Sequence, residues 1–189
     1  MTVIALVRHG ETEWNRAGRV QGHSDIALND TGRAQAAAAG EALRGGDYTH
    51  LFASPLVRAK ETAEIIGRTI GLGGPRLREG LRERNYGAAE GLLVADFWQR
   101  FPGGRDVPDA ETVDELRDRA FATLEEIADI AGDDPVVAVA HGGLIGQILR
   151  HITDGELPRP DERIGNGSQQ IIELTSSGAR VIGYHGSPR

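Results

Sequence analysis

The sequence predicts an α/β protein, a three-layer αβα domain on a mainly parallel central sheet. Three observations predict it. Residues 3–7 (VIALV) and 136–140 (VVAVA) are short, uncharged and apolar, the pattern of strands buried on both faces. Segments with helical patterning lie between the strand-like runs, as parallel pairing requires. Both runs end at a His-Gly, in Arg8-His9-Gly10 and in His141-Gly142-Gly143.

After the first strand, residues 16–29 read as loop, punctuated by Gly18, Gly22 and Asn29. Asn29 or Thr31 caps an alanine-rich helix that runs to about Arg44 and stops at Gly45-Gly46. Residues 48–53 form a second strand. Ser54-Pro55 opens a second helix, with proline in the first turn, ending near Gly71. Residues 76–81 are a weak strand or extended segment leading to Glu83, and residues 91–101 a short helix carrying Phe97 and Trp98. Ala110 or Glu111 starts a long amphipathic helix through Ile130, with Val113, Leu116, Ala120, Leu124, Ile127 and Ala131 on its apolar face. The strand 136–140 follows, then a helix to about Ile152. Asn166-Gly167 marks a turn before the strand 170–175, and Ser177-Gly178 reverses the chain into a hairpin. No linker or composition shift divides residues 1–189, so one domain is expected.

Composition narrows the function classes. The 189 residues carry a net charge of −7. Residues 106–134 hold eleven acids against Arg117 and Arg119, which places the acidity in one helical region. No basic stripe with interleaved aromatics appears, so no nucleic-acid partner is expected. No apolar run approaches the roughly 20 residues of a membrane span, and Met1-Thr2 leads straight into the first strand, so a cytoplasmic location is expected. There is no cysteine, hence no disulfide and no thiolate metal site. Lys60 is the single lysine among 21 basic residues; arginine suits bidentate contacts to phosphate.

An imidazole beside a guanidinium at the carboxyl end of a buried strand points to chemistry on an anion, because open α/β sheets bind ligands there. RHGETEWN at residues 8–15 resembles the signature of the histidine phosphatase superfamily, which contains the phosphoglycerate mutases and fructose-bisphosphatases. The resemblance continues in order through Gln21-Gly22, Asp25, Leu28, Gly32 and Gln35-Ala36. It resumes at Ser54-Pro55-Leu56, Arg58-Ala59 and Thr62-Ala63, at Leu81, Glu83, Gly87 and Glu90-Gly91, and at His141-Gly142-Gly143. It implies that the strands ending at His9 and His141 are neighbours.

The resemblance implies roles. His9 is the nucleophile that takes the phosphoryl group, its other ring nitrogen donating to a backbone carbonyl. Arg8, Arg58 and His141, the last protonated when phosphate is bound, stabilise charge on the equatorial oxygens, so that no metal is required. Glu83 is the proton shuttle, with a pKa expected to rise beside a phosphate. Asn15, Gln21, Gly22 and Gly142 are further phosphate contacts, and Thr12 is open to the same role. Arg84 and Tyr86 sit in an ERNYG block of the mutase type, where those positions contact substrate. Ala88-Ala89 departs from the phosphatase branch, which often has an aromatic before Glu90-Gly91. His23, His50, His151 and His185 read as structural or exposed, Phe97 and Trp98 as core or rim; Trp14 is left open between packing beside the pocket and an ordinary structural place.

The expectation is a metal-independent phosphatase acting on a small phosphorylated metabolite, with no cofactor. The alternatives are a mutase primed by 2,3-bisphosphoglycerate and, more remotely, a non-catalytic phospho-ligand module. The short, acidic stretch between Gly91 and Ala140 favours the phosphatase, since cofactor-dependent mutases carry a longer basic insertion there. Neither the substrate nor the oligomeric state is readable.

Overall fold

The computed structural model describes residues 1–188. In chain order its elements are β1 (Thr2–Arg8), α1 (Glu13–Arg16), α2 (Asp30–Leu43), β2 (His50–Ala53), α3 (Val57–Ile70), β3 (Arg76–Leu77), α4 (Val94–Arg100), α5 (Val113–Ala131), β4 (Val136–Ala140), α6 (Gly142–Ile152), β5 (Glu162–Arg163), β6 (Gln169–Thr175), β7 (Gly178–Gly183) and β8 (Ser187–Pro188). Six strands form the main sheet in the order β3-β2-β4-β1-β6-β7, and β5 pairs with β8. The pairs β3–β2, β2–β4 and β4–β1 are parallel, whereas β6 joins β1 and β7 antiparallel.

Strand alternation sorts the core into two layers. Ile4, Leu6, Val136 and Ala138 face Leu124 and Ile127 of α5 and Leu144, Ile145 and Ile148 of α6. Ala5, Val7, Val137 and Val139 face the other way, onto Ala39 and Leu43 of α2 and Ala59, Ala63 and Ile66 of α3. In register, Ile4 pairs with Val136 and Leu6 with Ala138, so each layer is continuous across the sheet. Both faces of β4 are therefore apolar, and all five of its residues are buried. A third, smaller cluster of Val20, Ala89, Phe97 and Val107 lies under α4.

Local capping explains where the boundaries depart from the sequence expectation. Asn29, rather than Thr31, caps α2, accepting from Gly32 N at 2.8 Å. The α5 helix begins at Val113 because Thr112 and Glu115 form a reciprocal capping box, two to three residues later than expected. Pro55 stays outside α3. Leu56 is the N-cap, and the first helical amide, Val57 N, is satisfied at 2.7 Å by Asp25, a cap from a distant loop. The stretch 76–81 is only briefly a strand; Glu79–Leu81 forms a 3-10 turn. One helix went unforeseen: α1, a single turn inside the segment read as motif and loop.

Candidate active site

Because β4 inserts between β1 and β2, the carboxyl ends of three parallel strands lie side by side. They carry Arg8-His9, His141 and Ser54. His9 N donates to Ala140 O and Ser54 N to Val139 O, both at 3.0 Å, which continues the ladder past the strands and fixes all three residues. The His9 and His141 rings come to 5.0 Å between centroids. The convergence expected of the two His-Gly runs is therefore present.

His9 is 3% exposed and held from both sides. Its Nδ1 lies 2.7 Å from Gly10 O, which can only accept, so Nδ1 carries the proton and Nε2 keeps its lone pair. Arg58 Nε donates to that Nε2 at 3.3 Å. Burial, then the charges of Arg58 and Arg8, hold the His9 pKa well below its ordinary 6.5. The imidazole is thus neutral at neutral pH, with a nucleophilic nitrogen facing a guanidinium.

Arg58 is fully buried at the start of α3, its Nη1 donating to Ser24 O at 2.9 Å and its Nη2 to Gly22 O at 2.7 Å. Arg8 is anchored by Nη1 on Ile164 O at 2.5 Å. Burial pulls both guanidinium pKa values down to about 10, still far above neutrality, so two positive charges persist in a desolvated site. His141 accepts or donates through Nε2 to Ser54 Oγ at 2.8 Å. Burial first, then Arg58 and His9, depress its pKa well below 6.5. Arg8 Nε, Gln21 Nε2 and His141 Nδ1 are buried without a partner. Unsatisfied nitrogens around an already cationic centre fit an anionic ligand.

Glu83 reaches the site from the turn after residues 79–81. Its Oε1 accepts from Arg84 N at 2.8 Å and Leu144 N at 3.0 Å, and its Oε2 from Gly143 N at 2.8 Å. The carboxyl group therefore sits on the N-terminus of α6, one turn from His141. A Cβ at position 143 would come within 2.5 Å of Glu83 Oε1, so this seat needs glycine. Gly22 is constrained similarly: a Cβ there would lie 2.2 Å from Glu90 Oε1. Glu90 ties down the same loop by accepting from His23 N and Ser24 N, both at 2.7 Å.

Arg8, His9, Asn15, Gln21, Glu83, Arg84, Tyr86 and Gly142 all line one cavity of about 1270 Å³. Asn15 uses Oδ1 to accept from Thr12 N and Asn166 Nδ2, each at 3.2 Å, and its Nδ2 has no hydrogen-bond partner among the described residues. Two of the expected ligand contacts have partners within the protein. Thr12 is fully buried and does not line the cavity; its hydroxyl caps α1 by accepting from Asn15 N and donates to Gln21 Oε1 at 2.8 Å. Arg84 commits Nε to Glu111 O at 2.7 Å and Nη2 to Gly104 O at 2.9 Å, and its guanidinium covers the Tyr86 ring. It anchors two loops while also lining the cavity. Phe97 is core and Trp98 an exposed rim, while Trp14 packs beneath Gly91. His23 is structural, its Nε2 meeting Glu83 O at 2.9 Å.

Sequence reasoning missed Asn166, read only as part of a turn. Its Nδ2 donates to His9 O at 3.0 Å, and Gly167 N to Arg8 O at 3.0 Å, so the 164–168 loop is bolted to the end of β1. No local pattern ties a loop to a strand end more than 150 residues earlier. Ser54 was placed in a motif block but given no role, and Arg105, Gln147, Arg150 and Arg163, which also line the cavity, were not singled out. No group of three or more potential metal-ligating side chains occurs among the described residues.

A neutral histidine beside the fully buried Arg58, the half-buried Arg8 and a second histidine, with a carboxyl group on the neighbouring helix end, forms a site suited to an anion. The sequence profile of the histidine phosphatase superfamily (branch 1) matches residues 4–185, and the chain belongs to that family, a phosphoric monoester hydrolase class. The chain is 36% identical over 185 residues to the uncharacterized phosphatase PhoE of Bacillus subtilis (strain 168), covering 98% of this chain and 95% of that one. It is also 36% identical over 188 residues to a metal-independent phosphoserine phosphatase of Arabidopsis thaliana, covering 92% and 77%. Among solved structures, a mutant phosphoserine phosphatase from Entamoeba histolytica in complex with phosphoserine superposes with a TM-score of 0.83 at 25% identity, covering 97% and 96% of the two chains.

Proposed function

We propose that the protein hydrolyses a small phosphomonoester through a phosphohistidine on His9, without a metal ion. The observation that carries this reading is the state of His9: its Nδ1 proton is held by Gly10 O and its depressed pKa leaves Nε2 unprotonated beside Arg58. In the first step Nε2 attacks phosphorus, an N–P bond forms and the P–O ester bond breaks. The departing alkoxide takes its proton by way of Glu83. In the second step Glu83, now a carboxylate, takes a proton from water, which attacks phosphorus. The N–P bond breaks, and phosphate leaves.

Arg8, Arg58 and His141 hold the three equatorial oxygens, and Asn15, Gln21 and Gly142 border them. Arg8 and Arg58, cationic before substrate arrives, stabilise the transition state without reorganisation, the part a metal plays in other phosphatases. The Arabidopsis relative, a metal-independent phosphoserine phosphatase, supports that reading. Phosphoserine in the Entamoeba structure supports a small phosphorylated metabolite as substrate. Hydrolysis is favoured over the mutase alternative by the cavity, about 1270 Å³ and rimmed by exposed Trp98, which admits water to the phosphoenzyme.

The test is to quench enzyme during turnover of a radiolabelled phosphoester. An acid-labile, base-stable label is expected on the protein and is expected to vanish in His9→Ala. Turnover is expected to survive EDTA. Full activity in His9→Ala, or strict dependence on added divalent ion, would overturn the proposal.

A further inference from the structure

Ser54 is fully buried beside the site, and the steps on His9 and Glu83 leave its hydroxyl unused. It directly follows β2, and its amide donates to Val139 O at 3.0 Å, which fixes it against β4. Its Oγ lies 2.8 Å from Nε2 of His141, a residue equally buried. The same oxygen accepts from Leu56 N at 3.3 Å. A serine hydroxyl has one proton to give, and among the described residues it meets no acceptor other than His141 Nε2. Burial, then the charge of Arg58, keep His141 unprotonated at neutral pH. If Ser54 donates to Nε2, the neutral ring carries its own proton on Nδ1. The opposite tautomer, with Nε2–H donating to Oγ, strands the hydroxyl proton at a fully buried residue. A buried donor without an acceptor is disfavoured, so the first arrangement prevails.

The Nδ1 end of the ring is left free by the way α6 begins. His141 is the N-cap of that helix, yet its side chain makes no capping bond. N-cap side chains ordinarily accept from first-turn amides. Here Glu83 takes those amides, Gly143 N and Leu144 N, from another part of the chain. The imidazole is thereby released from the helix, and its Nδ1 is buried without a partner among the described residues. The His9 ring stands 5.0 Å away between centroids. Arg8 Nε, a second nitrogen without a partner, lies 3.1 Å from where a Cβ on Gly142 would stand, next in the chain to His141. Two unpartnered nitrogens beside the nucleophile match an acceptor that arrives with substrate, provided both carry protons. Arg8 Nε does so at neutral pH; His141 Nδ1 does so only in the tautomer that Ser54 selects.

We propose that Ser54 is a positioning residue: its hydroxyl donates to His141 Nε2 and fixes the neutral imidazole as the Nδ1–H tautomer, so that Nδ1 is a donor before the phosphate group arrives. This rests on the reading of the site as a phosphatase centre. Ser54 does not touch the reacting atoms; it acts through His141. With the proton already on Nδ1, the ring meets a phosphoryl oxygen without reorganisation. The other tautomer would present a lone pair to that oxygen and repel it.

The experiment records proton–nitrogen correlation spectra of the full chain, isotope-labelled at its histidines, at neutral pH, free and saturated with vanadate. The His141 signals are identified by their loss in His141→Gln. In wild type, Nδ1 is expected in the protonated range and Nε2 in the lone-pair range, and vanadate is expected to move the Nδ1 signal. Ser54→Ala is expected to mix the two tautomers and to weaken vanadate binding by about tenfold, the scale of one hydrogen bond to a charged group. Ser54→Thr, which keeps a hydroxyl, is expected to retain the tautomer and most of the affinity. A merely structural serine would lower Tm in Ser54→Ala and leave the nitrogen signature of wild type; that result would overturn the proposal. So would an Nε2–H or doubly protonated His141 in wild type, or an Nδ1 signal indifferent to vanadate. The wild-type spectrum decides the tautomer even where a variant fails to fold. The phosphohistidine label is measured in the same wild-type preparation. Its absence would overturn the phosphatase reading and the use of Nδ1 with it, whereas an Nε2–H His141 in a protein that takes the label overturns the role of Ser54 alone.

Discussion

At the scale of single residues, the site works by placing charged and neutral forms side by side. Glu83→Gln keeps the shape of the acid but not its proton. It is expected to slow hydrolysis of alkyl phosphates by about 10² to 10⁴-fold, the usual worth of general acid catalysis. The loss on p-nitrophenyl phosphate, whose leaving group departs unprotonated, is expected to be much smaller. Equal losses on the two esters would make Glu83 a positioning group. The histidines also make a thermodynamic prediction. His9 and His141 have folded pKa values well below 6.5, so between those values and 6.5 the unfolded chain binds more protons than the folded one. Stability therefore rises with pH through that window and is lost as pH falls below about 6.5. Urea unfolding followed from pH 7.5 to 5 should show this slope, and His9→Asn should flatten it.

At the scale of elements, the loop from Gln21 to Asp25 packs against the start of α3. Gly22 and Ser24 offer carbonyls to Arg58, and Asp25 caps the helix that carries it. Gly22→Ala would drive a methyl group into Glu90 and Arg84 O. It is expected to cost about 1–3 kcal/mol in stability and to raise KM for phosphoesters by loosening the Arg58 fork; a variant with unchanged KM would separate the loop from phosphate binding. The α5 N-terminus borders the cavity. Thr112→Ala removes its capping box and is expected to cost about 1 kcal/mol, lowering Tm by roughly 2–4 °C.

At the scale of the molecule, desolvating Arg58 and the half-buried Arg8 costs folding free energy that an anionic ligand is expected to offset. Vanadate or phosphate at about 100 times its Kd is expected to add about 2.7 kcal/mol, a rise in Tm of roughly 5–10 °C. Arg58→Ala should abolish that rise. A Tm indifferent to either anion would contradict an anion site at the end of β1.

The sequence by itself determined the architecture and the chemical cast. Apolar runs buried on both faces, such as 136–140, can only be central strands, and the alternation of Ile4 and Leu6 with Ala5 and Val7 already contains the two core layers. His9, Glu83, Arg8, Arg58 and His141 were named through the resemblance of ordered motif blocks to a family, since Glu83 alone reads as a surface charge. Contacts that span the chain were not. The Asp25 cap on α3 and the Asn166 clamp on β1 join segments with no local pattern in common. Arg84 and Thr12 stood in motif blocks as ligand contacts, and only the surroundings showed that Gly104 O, Glu111 O and the α1 cap claim their donors and acceptors. A side chain's chemistry is intrinsic to its residue, but which partner satisfies it depends on what the tertiary fold brings within about 3 Å.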